Sequence, residues 1–356
     1  MLYYAAFIPG LGELIAEVVQ ERLSDVVIHR LLDGAILFET SLGYDKFNFF
    51  CFNNIFAVIS IMEHDSAGAL EAHVASFVQN ATHDSAAREI IAHNSRDIQT
   101  FRINVSRENK PAALNEKLRA EAERHIARLS GLAIDRAGGG AGSGAEFWFL
   151  YRSESSSPFS VFMKRLTLRT SWEKSLHPGE LPPPLAWALC RLAHLRHDDT
   201  VLDPFCGYGS IPNATIKFFH ITKFIACDND AKAAAYTAAR FRDRSSAFTL
   251  HKTGFRSLVS ILPPKSVDAV ITDPPWGCYN GGELPEKLYQ EMFSVFKTLV
   301  KDNGRVVLLG ARTDDLLHAA GDFGEVRTTI PILLSGRKAE IYQFAAHPDA
   351  RVGRTA

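Results

Sequence analysis

The spacing of hydrophobic and polar residues changes along the chain and predicts three structural regions. The first begins with an apolar, strand-like run at 2–8, after which apolar residues recur at helical spacing. Asp33-Gly34 separates two further strand-like runs, which is typical of a two-residue hairpin whose glycine adopts a positive φ. A strand is expected at 54–62 and a helix at 67–78. These elements predict an N-terminal α+β domain of the ferredoxin-like type over residues 1–95.

The second region alternates apolar and polar side chains from 101 to 106, as a half-buried strand requires. Apolar residues at helical spacing then predict a helix that Gly131 ends, because glycine readily adopts the left-handed conformation found at helix C-termini. Five glycines at 138–144 predict a flexible loop. We assign residues 96–155 to a second domain and residues 156–182 to a linker.

The third region starts after three consecutive prolines at 182–184, whose fixed φ marks a boundary. From residue 200 onwards, strand-like and helix-like patterns alternate regularly. Such alternation predicts an α/β domain with a mainly parallel sheet and helices on both faces, which we place at residues 183–356. Ligands of these sheets bind at the carboxyl ends of the strands, where the strand order reverses.

The composition is that of an ordinary globular protein, with 46% apolar residues, 22% charged residues and a net charge of −1. The most apolar run, at 47–62, contains three asparagines and is too polar for a membrane span, and the first residues have no basic stretch or cleavage site. We therefore expect a cytoplasmic protein without a secretory signal. Five scattered cysteines and no metal-spaced histidines predict neither structural disulfides nor a metal site.

The small net charge conceals an uneven distribution of charged residues. Residues 1–100 carry 5 basic and 13 acidic side chains, whereas residues 101–175 carry 13 basic and 8 acidic ones. A basic middle segment favours contact with a polyanion such as a nucleic acid. The alternative interpretation is a set of solvated helix faces that bind no partner.

The first strand of the third region ends in a glycine-containing turn, Asp203-Pro204-Phe205-Cys206-Gly207-Tyr208-Gly209-Ser210. Its two glycines permit a tight turn in which a ligand approaches the main chain, and the following helix presents its amide groups. Asp203 is a candidate acceptor for an ammonium or hydroxyl group. Asp228, followed by Asn229, ends the second strand, where a carboxylate can bind two ribose hydroxyls. These residues predict a nucleoside cofactor.

Two other classes of nucleotide-binding protein fit this turn poorly. A dinucleotide-binding turn would have a third glycine where Pro212 stands, which disfavours an NAD dehydrogenase. A P-loop would be followed by Gly-Lys-Ser or Gly-Lys-Thr, and none follows here. Phe255, after the third strand, is a candidate for stacking on the cofactor's adenine, with packing against a helix as the alternative.

The fourth strand ends in Asp273-Pro274-Pro275-Trp276, a sequence that is rare by chance. The two prolines make a stiff turn and, because proline has no N–H, leave carbonyl oxygens free as acceptors. One carbonyl and the Asp273 carboxylate can accept both hydrogens of an exocyclic amino group while Trp276 stacks on the base. A base paired in a helix must leave it to reach such a pocket. The alternative is a rigid structural turn with a core tryptophan.

The turn at 203–210 and the Asp-Pro-Pro-Trp motif resemble the cofactor loop and the [Asn/Asp]-Pro-Pro-[Tyr/Phe/Trp] motif of class I S-adenosylmethionine-dependent methyltransferases that modify exocyclic amines of nucleic acids. Residues 101–170 resemble a THUMP domain, an RNA-binding unit. The segments 176–181 and 336–341 are similar to the entry segment and closing strand of the tRNA guanine-N2 methyltransferases. Trp276 departs from the tyrosine that is usual in those enzymes.

This resemblance implies a Rossmann-like domain with a mainly parallel seven-stranded sheet, S-adenosyl-L-methionine as cofactor, and N2 of a tRNA guanosine as methyl acceptor. The catalytic residues expected from the motif are Asp273, Pro274, Pro275 and Trp276. The expected cofactor-binding residues are Asp203, Pro204, Phe205, Cys206, Gly207, Gly209, Ser210, Asp228, Asn229 and Phe255. Because the sulfonium is already activated, the transfer requires no metal ion.

The expected partner is RNA, bound in part by Arg102, Lys164, Arg165 and Arg169, with no membrane contact. Tryptophan also occurs in the motif of adenine-N6 enzymes, so adenine N6 or cytosine N4 of rRNA or DNA remains an alternative acceptor. An RNA-binding protein with a vestigial methyltransferase fold is a further alternative. The oligomeric state cannot be predicted from these patterns.

Overall fold

A computed structural model describes residues 1–43, 50–63, 69–80, 83–94, 97–136, 144–153, 157–166, 176–244, 246–276, 285–311, 313–321, 323–334 and 336–346. The chain forms two compact units. The first consists of Met1–Phe7 and Leu11–Lys174, and the second of Ile8–Gly10 and Ser175–Ala356. Most of the predicted glycine-rich loop, 137–143, and the predicted RNA-binding residue Arg169 lie outside the described residues.

The first unit is built on one sheet flanked by helices. Its strands are β1 Leu2–Ala6, β2 Val27–Leu32, β3 Ala35–Glu39, β4 Asn54–Glu63, β5 Thr100–Arg107, β6 Lys110–Pro111, β7 Ala133–Ile134, β8 Ala145–Arg152 and β9 Phe159–Arg165. Its helices are α1 Gly12–Arg22, α2 Ala69–Gln79, α3 Ser85–Ala92 and α4 Glu116–Ser130. The strand order over the described residues is β2-β3-β1-β4-β9-β8-β5-β6, with β7 paired to β5.

Local sequence explains where several of these elements begin and end. Gly34 has a φ of 80° in the hairpin between β2 and β3, as predicted. The Asn115 side chain accepts hydrogen bonds at the N-terminus of α4, and Gly131, with a φ of 73°, ends that helix in the left-handed conformation. The core between the helices and the sheet is aromatic, and the rings of Phe149 and Phe162 stack with centroids 4.2 Å apart.

Part of the segment assigned to the linker, 156–182, forms a strand. Phe159–Arg165 form β9, which lies between β4 and β8 in the middle of the sheet and pairs with both. Six of its seven residues are buried, the polar Ser160 and Lys164 among them, so both faces of the strand are covered. Strands from 1–95 and from 96–155 share this sheet. The boundary between those two predicted domains is not visible as a break in the sheet and remains a prediction.

The second unit contains the alternating pattern that the sequence predicts. Its strands are β10 Thr200–Asp203, β11 Lys223–Cys227, β12 Phe248–His251, β13 Val267–Thr272, β14 Val300–Gly310, β15 Gly324–Leu334 and β16 Arg337–Ala346. Its helices are α5 Pro183–Leu192, α6 Ser210–Phe218, α7 Ala231–Arg240, α8 Leu258–Ile261, α9 Pro285–Leu299 and α10 Thr313–Ala320. Short 3-10 turns cover Arg242–Arg244 and Phe255–Ser257.

The second sheet has seven strands in the order β12-β11-β10-β13-β14-β16-β15, which confirms the predicted mainly parallel sheet. Strands β10 to β14 run parallel. Strand β16 is antiparallel to both of its neighbours, β14 and β15. The chain proceeds outward from β10 to β12 on one side and returns to β13 on the other. The strand order therefore reverses between β10 and β13, where a ligand site is expected.

In the part of the chain that the structure describes, no helix is long and apolar enough to span a bilayer. The same residues contain no group of three or more His, Cys, Asp and Glu side chains arranged to hold a metal ion.

Candidate active site

The turn after β10 is held in a fixed shape by main-chain hydrogen bonds. Gly207 and Gly209 have φ values of 49° and 85°, which favour glycine. The Cys206 N–H donates to the Cys227 carbonyl over 2.9 Å, and the Thr237 hydroxyl donates to the Gly207 carbonyl over 2.8 Å. A Cβ on Gly207 would meet no atom within 4 Å, so the main chain there borders open space that a ligand can occupy.

Asp203, at the start of this turn, is a buried carboxyl group with one unused oxygen. Its Oδ1 accepts hydrogen bonds from the Thr272 hydroxyl at 2.9 Å and from the Phe205 N–H at 3.2 Å. Its Oδ2 is buried and has no partner among the described residues. Burial raises the pKa of Asp203 to about 8, and the nearby carboxylates of Asp228 and Asp273 act in the same direction. A ligand with a cationic or hydroxyl donor would satisfy this oxygen.

Asp228 follows β11 and connects it to the glycine turn. Its Oδ2 accepts the Gly207 N–H over 2.7 Å, and its Oδ1 accepts the Asp230 N–H over 2.8 Å. Because each carboxylate oxygen accepts two hydrogen bonds, one position on each oxygen remains for a ligand. Asn229 lies exposed beside it. This arrangement fits the ribose-binding role predicted for Asp228, which remains a prediction.

The Asp-Pro-Pro-Trp turn follows the end of β13. Asp273 and Trp276 are half-buried, Pro274 is buried and Pro275 is exposed. The Trp276 Nε1–H donates to Asp273 Oδ1 over 3.0 Å. Burial raises the pKa of Asp273 to about 7, whereas the bond from Trp276 acts to lower it. The second oxygen, Oδ2, accepts no hydrogen bond from the described residues.

The glycine turn and the Asp-Pro-Pro-Trp turn follow neighbouring strands at the same edge of the sheet. Val201 and Leu202 of β10 pair in parallel with Ala269 and Val270 of β13. At the carboxyl ends of these strands, the Thr272 hydroxyl donates a hydrogen bond to Asp203. This bond joins the last residue of β13 to the first residue of the glycine turn. The structure thus brings the predicted cofactor loop and the predicted catalytic motif together at the reversal of strand order.

Phe255 has a different place from the one predicted. Only 4% of its surface is exposed, and it belongs to the core of the second unit. Its ring lies 4.9 Å from that of Phe205, and the guanidinium of Arg256 lies 4.7 Å from its centre. The ring is enclosed by protein atoms, so the structure favours the packing alternative over stacking on adenine.

The two cysteines at this edge are buried thiols rather than nucleophiles. The Cys227 Sγ donates to the Thr253 carbonyl over 2.9 Å, and burial raises the pKa of its thiol to about 12. Burial also raises the pKa of Cys206 well above its ordinary value. Neither forms a thiolate near neutral pH, so Cys206 contributes to the turn through its main chain.

Two of the predicted RNA-binding residues are engaged inside the first unit. Lys164 is 5% exposed, and its ammonium group donates to four oxygen atoms that follow α3 or belong to its last turn. These are the carbonyl oxygens of Ile90, Ile91 and His93 and the Oδ1 of Asn94. Lys164 therefore stabilises the end of α3. Burial lowers the pKa of its ammonium group to about 7, so neither its position nor its charge favours the predicted contact with RNA.

Arg165 is half-buried as a residue, and only 8% of its side chain is exposed. It donates to Glu146 over 3.1 Å and to Asn54. These bonds occupy its guanidinium and do not favour its predicted contact with RNA either. Arg102 binds the other oxygen of Glu146, but 29% of its side chain stays exposed, and its contact with RNA remains a prediction.

The sequence analysis missed a polar network on the outer side of the glycine turn. The Glu180 side chain accepts hydrogen bonds from the Ser210 hydroxyl at 3.3 Å, from Arg240 Nη1 at 3.2 Å and from the His177 N–H at 3.1 Å. The same Arg240 nitrogen donates to the Tyr208 carbonyl over 3.0 Å. Ser210, predicted to bind the cofactor, thus anchors the turn to the segment 176–181.

Aromatic side chains reinforce this contact. The ring of His177 stacks on that of Tyr208, with centroids 4.0 Å apart and an angle of 11° between the planes. Tyr236 of α7 meets His177 edge to face at 4.7 Å. Because these partners are about 30 and 60 positions apart in sequence, no local pattern reveals them. The sequence signal that could have indicated this contact is the resemblance of residues 176–181 to the segment that leads into the catalytic domain of the tRNA guanine-N2 methyltransferases.

Comparisons with known proteins agree with this geometry. Residues 170–331 match the family described as UPF0020, RMKL-like, methyltransferase domain. The chain is 33% identical over 149 residues to a tRNA (guanine(10)-N2)-dimethyltransferase of Methanocaldococcus jannaschii, covering 39% of this chain and 40% of that protein. It is 31% identical over 132 residues to the U6 snRNA (guanine-N(2))-methyltransferase THUMPD2 of Bos taurus, covering 35% of this chain and 24% of that protein.

The match thus covers less than half the length of each of these two relatives. Similarity of fold extends further. The crystal structure of TrmN from Thermus thermophilus superimposes with a TM-score of 0.76 and 20% identity, covering 97% of this chain and 99% of that one. SMU.472, a methyltransferase-like protein whose structure contains SAH, gives a TM-score of 0.70 at 13% identity and 98% coverage of each chain. The chain therefore shares the fold of these solved methyltransferase structures, matches the UPF0020 methyltransferase-domain family over residues 170–331, and is similar in sequence to guanine-N2 RNA methyltransferases over part of its length.

Proposed function

We propose that the protein is an S-adenosyl-L-methionine-dependent RNA methyltransferase that modifies an exocyclic base amine, N2 of a guanosine in tRNA. The observation that carries this proposal is the Asp273–Trp276 turn, which follows the strand next to the glycine turn at the reversal of strand order. The names of the relatives support the guanine-N2 acceptor.

The residues around the glycine turn fit S-adenosyl-L-methionine. When bound, this cofactor supplies an activated methyl group on a sulfonium. The buried, unpartnered Oδ2 of Asp203 is suited to the ammonium of its methionine part, and Asp228 has acceptor positions for ribose hydroxyls. The open space at Gly207 allows the ligand to lie against the main chain. Pro204, Phe205, Cys206, Gly209 and Asn229 stay predictions as cofactor-binding residues.

The Asp-Pro-Pro-Trp turn supplies the acceptor half of the site. Asp273 Oδ2 and the Pro274 carbonyl accept the two hydrogens of the base amine, and the Trp276 ring stacks on the base. The amine nitrogen then points its lone pair toward the methyl group. Alignment of this kind removes about 7–11 kcal/mol of a reaction barrier, so orientation by these residues is expected to dominate the rate.

RNA binding is assigned to the first unit, in which residues 96–155 are proposed to form a THUMP-like domain. With Lys164 and Arg165 engaged internally, the candidate contacts are Arg102 and the exposed cations of α4, which are Lys117, Arg124 and Arg128. A cytoplasmic location is proposed as well. The free, buried thiols of Cys51, Cys190, Cys206 and Cys227 fit a reducing compartment.

The test is incubation of the protein with methyl-labelled S-adenosylmethionine and total small RNA, followed by digestion to nucleosides and mass spectrometry. The expected product is N2-methylguanosine. Asp273→Ala should lower methyl transfer by about a hundredfold or more, because it removes an acceptor aimed at the reacting amine. The same variant should bind S-adenosylhomocysteine as the wild type does.

Asp243→Ala, which removes an exposed carboxylate from the same unit, is the matched control and should remain fully active. Labelled N6-methyladenosine or N4-methylcytidine would redirect the proposal to a different base. An Asp273→Ala protein with wild-type activity would refute the role of the turn, and failure to bind the cofactor would favour an RNA-binding protein with a vestigial fold.

A further inference from the structure

Trp276 makes a contact that tyrosine or phenylalanine, the other residues found at this position of the motif, could not make. Its indole Nε1–H donates to Asp273 Oδ1 over 3.0 Å, across only three residues of the turn. Phenylalanine has no polar hydrogen, and the hydroxyl of tyrosine lies at the far end of its ring. The bond therefore depends on tryptophan itself, and not on the presence of any stacking ring.

This contact makes the two oxygens of Asp273 different from each other. Oδ1 is occupied by the indole N–H, whereas Oδ2 accepts no hydrogen bond from the described residues. A carboxylate held at one oxygen has a restricted rotation about its χ2 angle. The open oxygen then points in a defined direction before any substrate arrives.

We propose that Trp276 is a positioning residue for Asp273. Its indole N–H holds Oδ1 of the carboxyl group and leaves Oδ2 for the amine of the acceptor base. This inference rests on the proposed function, since it assigns a second task to a residue of the same site. The stacking role of the ring is separate and would be kept by phenylalanine.

The need for such a donor follows from the burial of Asp273. The charged neighbour with which it interacts among the described residues is Asp203, the last residue of β10, which is itself an acid. Burial raises the pKa of Asp273 to about 7, and the hydrogen bond from Trp276 opposes that rise. Without the indole N–H, Asp273 would keep its proton to higher pH. A protonated carboxyl group is a poorer acceptor for the amine, so the rate would fall first on the acid side.

The experiment measures single-turnover methyl transfer for the wild type and Trp276→Phe, with saturating S-adenosylmethionine and RNA, from about pH 5.5 to 9.5. For Trp276→Phe we expect the acid limb of the rate profile to move to higher pH. The rate near pH 6 should drop about tenfold, while the rate near pH 9 stays within about threefold of the wild type.

Trp187→Phe is the matched control, because Trp187 is a buried tryptophan on α5 of the same unit. Its acid limb should coincide with that of the wild type. Circular dichroism establishes that both variants are folded.

Coincident acid limbs for the wild type and Trp276→Phe would overturn the inference. Equal losses near pH 6 and pH 9 would also overturn it, since they assign Trp276 to stacking alone. If the wild type methylates no RNA, the proposed function fails. This inference can still be tested by infrared titration of the Asp273 carboxyl group. Its absorption band is identified by its loss in Asp273→Asn. That band should persist to higher pH in Trp276→Phe than in the wild type, and equal titrations would refute the positioning role.

Discussion

At the scale of single residues, the most consequential feature is that Asp203 is buried with one oxygen unused. In an ordinary core position, such a group would be replaced by an apolar residue, because an unpaired buried polar atom costs about 1–3 kcal/mol. Its presence beside a turn with open space at Gly207 indicates that the missing partner belongs to a ligand. The cost to the empty protein is then offset when that ligand binds.

This cost depends on pH, and its sign can be worked out. The pKa of Asp203 is raised to about 8 in the folded protein, from near 4 when unfolded. Between these values the folded state binds more protons, so this group lowers stability progressively as the pH rises from about 4 to 8. Below about pH 4 the carboxyl group is protonated in both states and the penalty disappears.

We therefore predict that Asp203→Asn stabilises the empty protein at alkaline pH. Urea unfolding should show the variant more stable than the wild type by about 1–3 kcal/mol near pH 9, with a smaller difference near pH 5. Calorimetric titration should show its affinity for S-adenosylmethionine reduced at least about tenfold, because an amide carries no negative charge to attract the ammonium ion. Asp314→Asn, at an exposed position, should change neither measurement.

A stability difference that does not change between pH 5 and pH 9 would show that the Asp203 carboxyl group is not the source of the effect. Unchanged affinity for the cofactor would remove Asp203 from the binding site.

At the scale of structural elements, the segment 176–181 and the helix α7 act on the glycine turn from outside. Glu180 is the shared point, because its carboxylate is bonded to Ser210 of the turn and to Arg240 of α7. Arg240 in turn binds the Tyr208 carbonyl. Only 7% of the Glu180 side chain is exposed, whereas 30% of the Arg240 side chain is, so one side of this ion pair is shielded and the other meets solvent.

Glu180→Ala is predicted to loosen the turn and weaken cofactor binding. The dissociation constant for S-adenosylmethionine should rise by about one order of magnitude, since the variant lacks two or three hydrogen bonds near 1 kcal/mol each, which water replaces only in part. The rate at saturating cofactor should change much less. Steady-state kinetics with varied cofactor concentration separates these two quantities.

The matched control is Glu291→Ala, which removes a partly exposed glutamate that pairs with Arg256 on the surface of the same unit. It should leave the cofactor KM at its wild-type value. A Glu180→Ala protein with a normal KM would show that the turn keeps its shape without the segment 176–181.

Features whose residues are contiguous could be predicted from the sequence, whereas contacts between distant elements could not. The Asp-Pro-Pro-Trp turn was predictable because its chemistry is contiguous, and the strand before it is a short buried run. The role of Lys164 was not, because it depends on α3, a helix of eight residues too short for a clear periodicity. Three carbonyl oxygens at the end of that helix attract the ammonium across about 70 positions of sequence.

At the scale of the whole molecule, the uneven charge along the sequence is only partly available to a polyanion. Of the basic residues in 101–175, Lys164 and Arg165 are engaged inside the fold, as is Arg152, which is fully buried. The cations that stay exposed include Lys117 and Arg124 on α4. The number of basic residues in the sequence is therefore larger than the number that can contact RNA. The residues to test are those whose side chains are exposed to solvent.

We predict that Lys117→Ala combined with Arg124→Ala weakens RNA binding without affecting the cofactor site. A plot of the logarithm of the RNA-binding constant against the logarithm of the salt concentration has a negative slope. Removing one phosphate-binding cation should reduce the magnitude of this slope by about 1, and the double variant should reduce it by about 2. Fluorescence anisotropy with a labelled tRNA over a range of salt concentrations measures this slope. Lys232→Ala combined with Arg242→Ala, which removes equal charge from exposed positions of the second unit, should reduce the magnitude of the slope less. An equal decrease in both double variants would mean that RNA responds to net charge alone, and the assignment of α4 to the RNA interface would have to be abandoned.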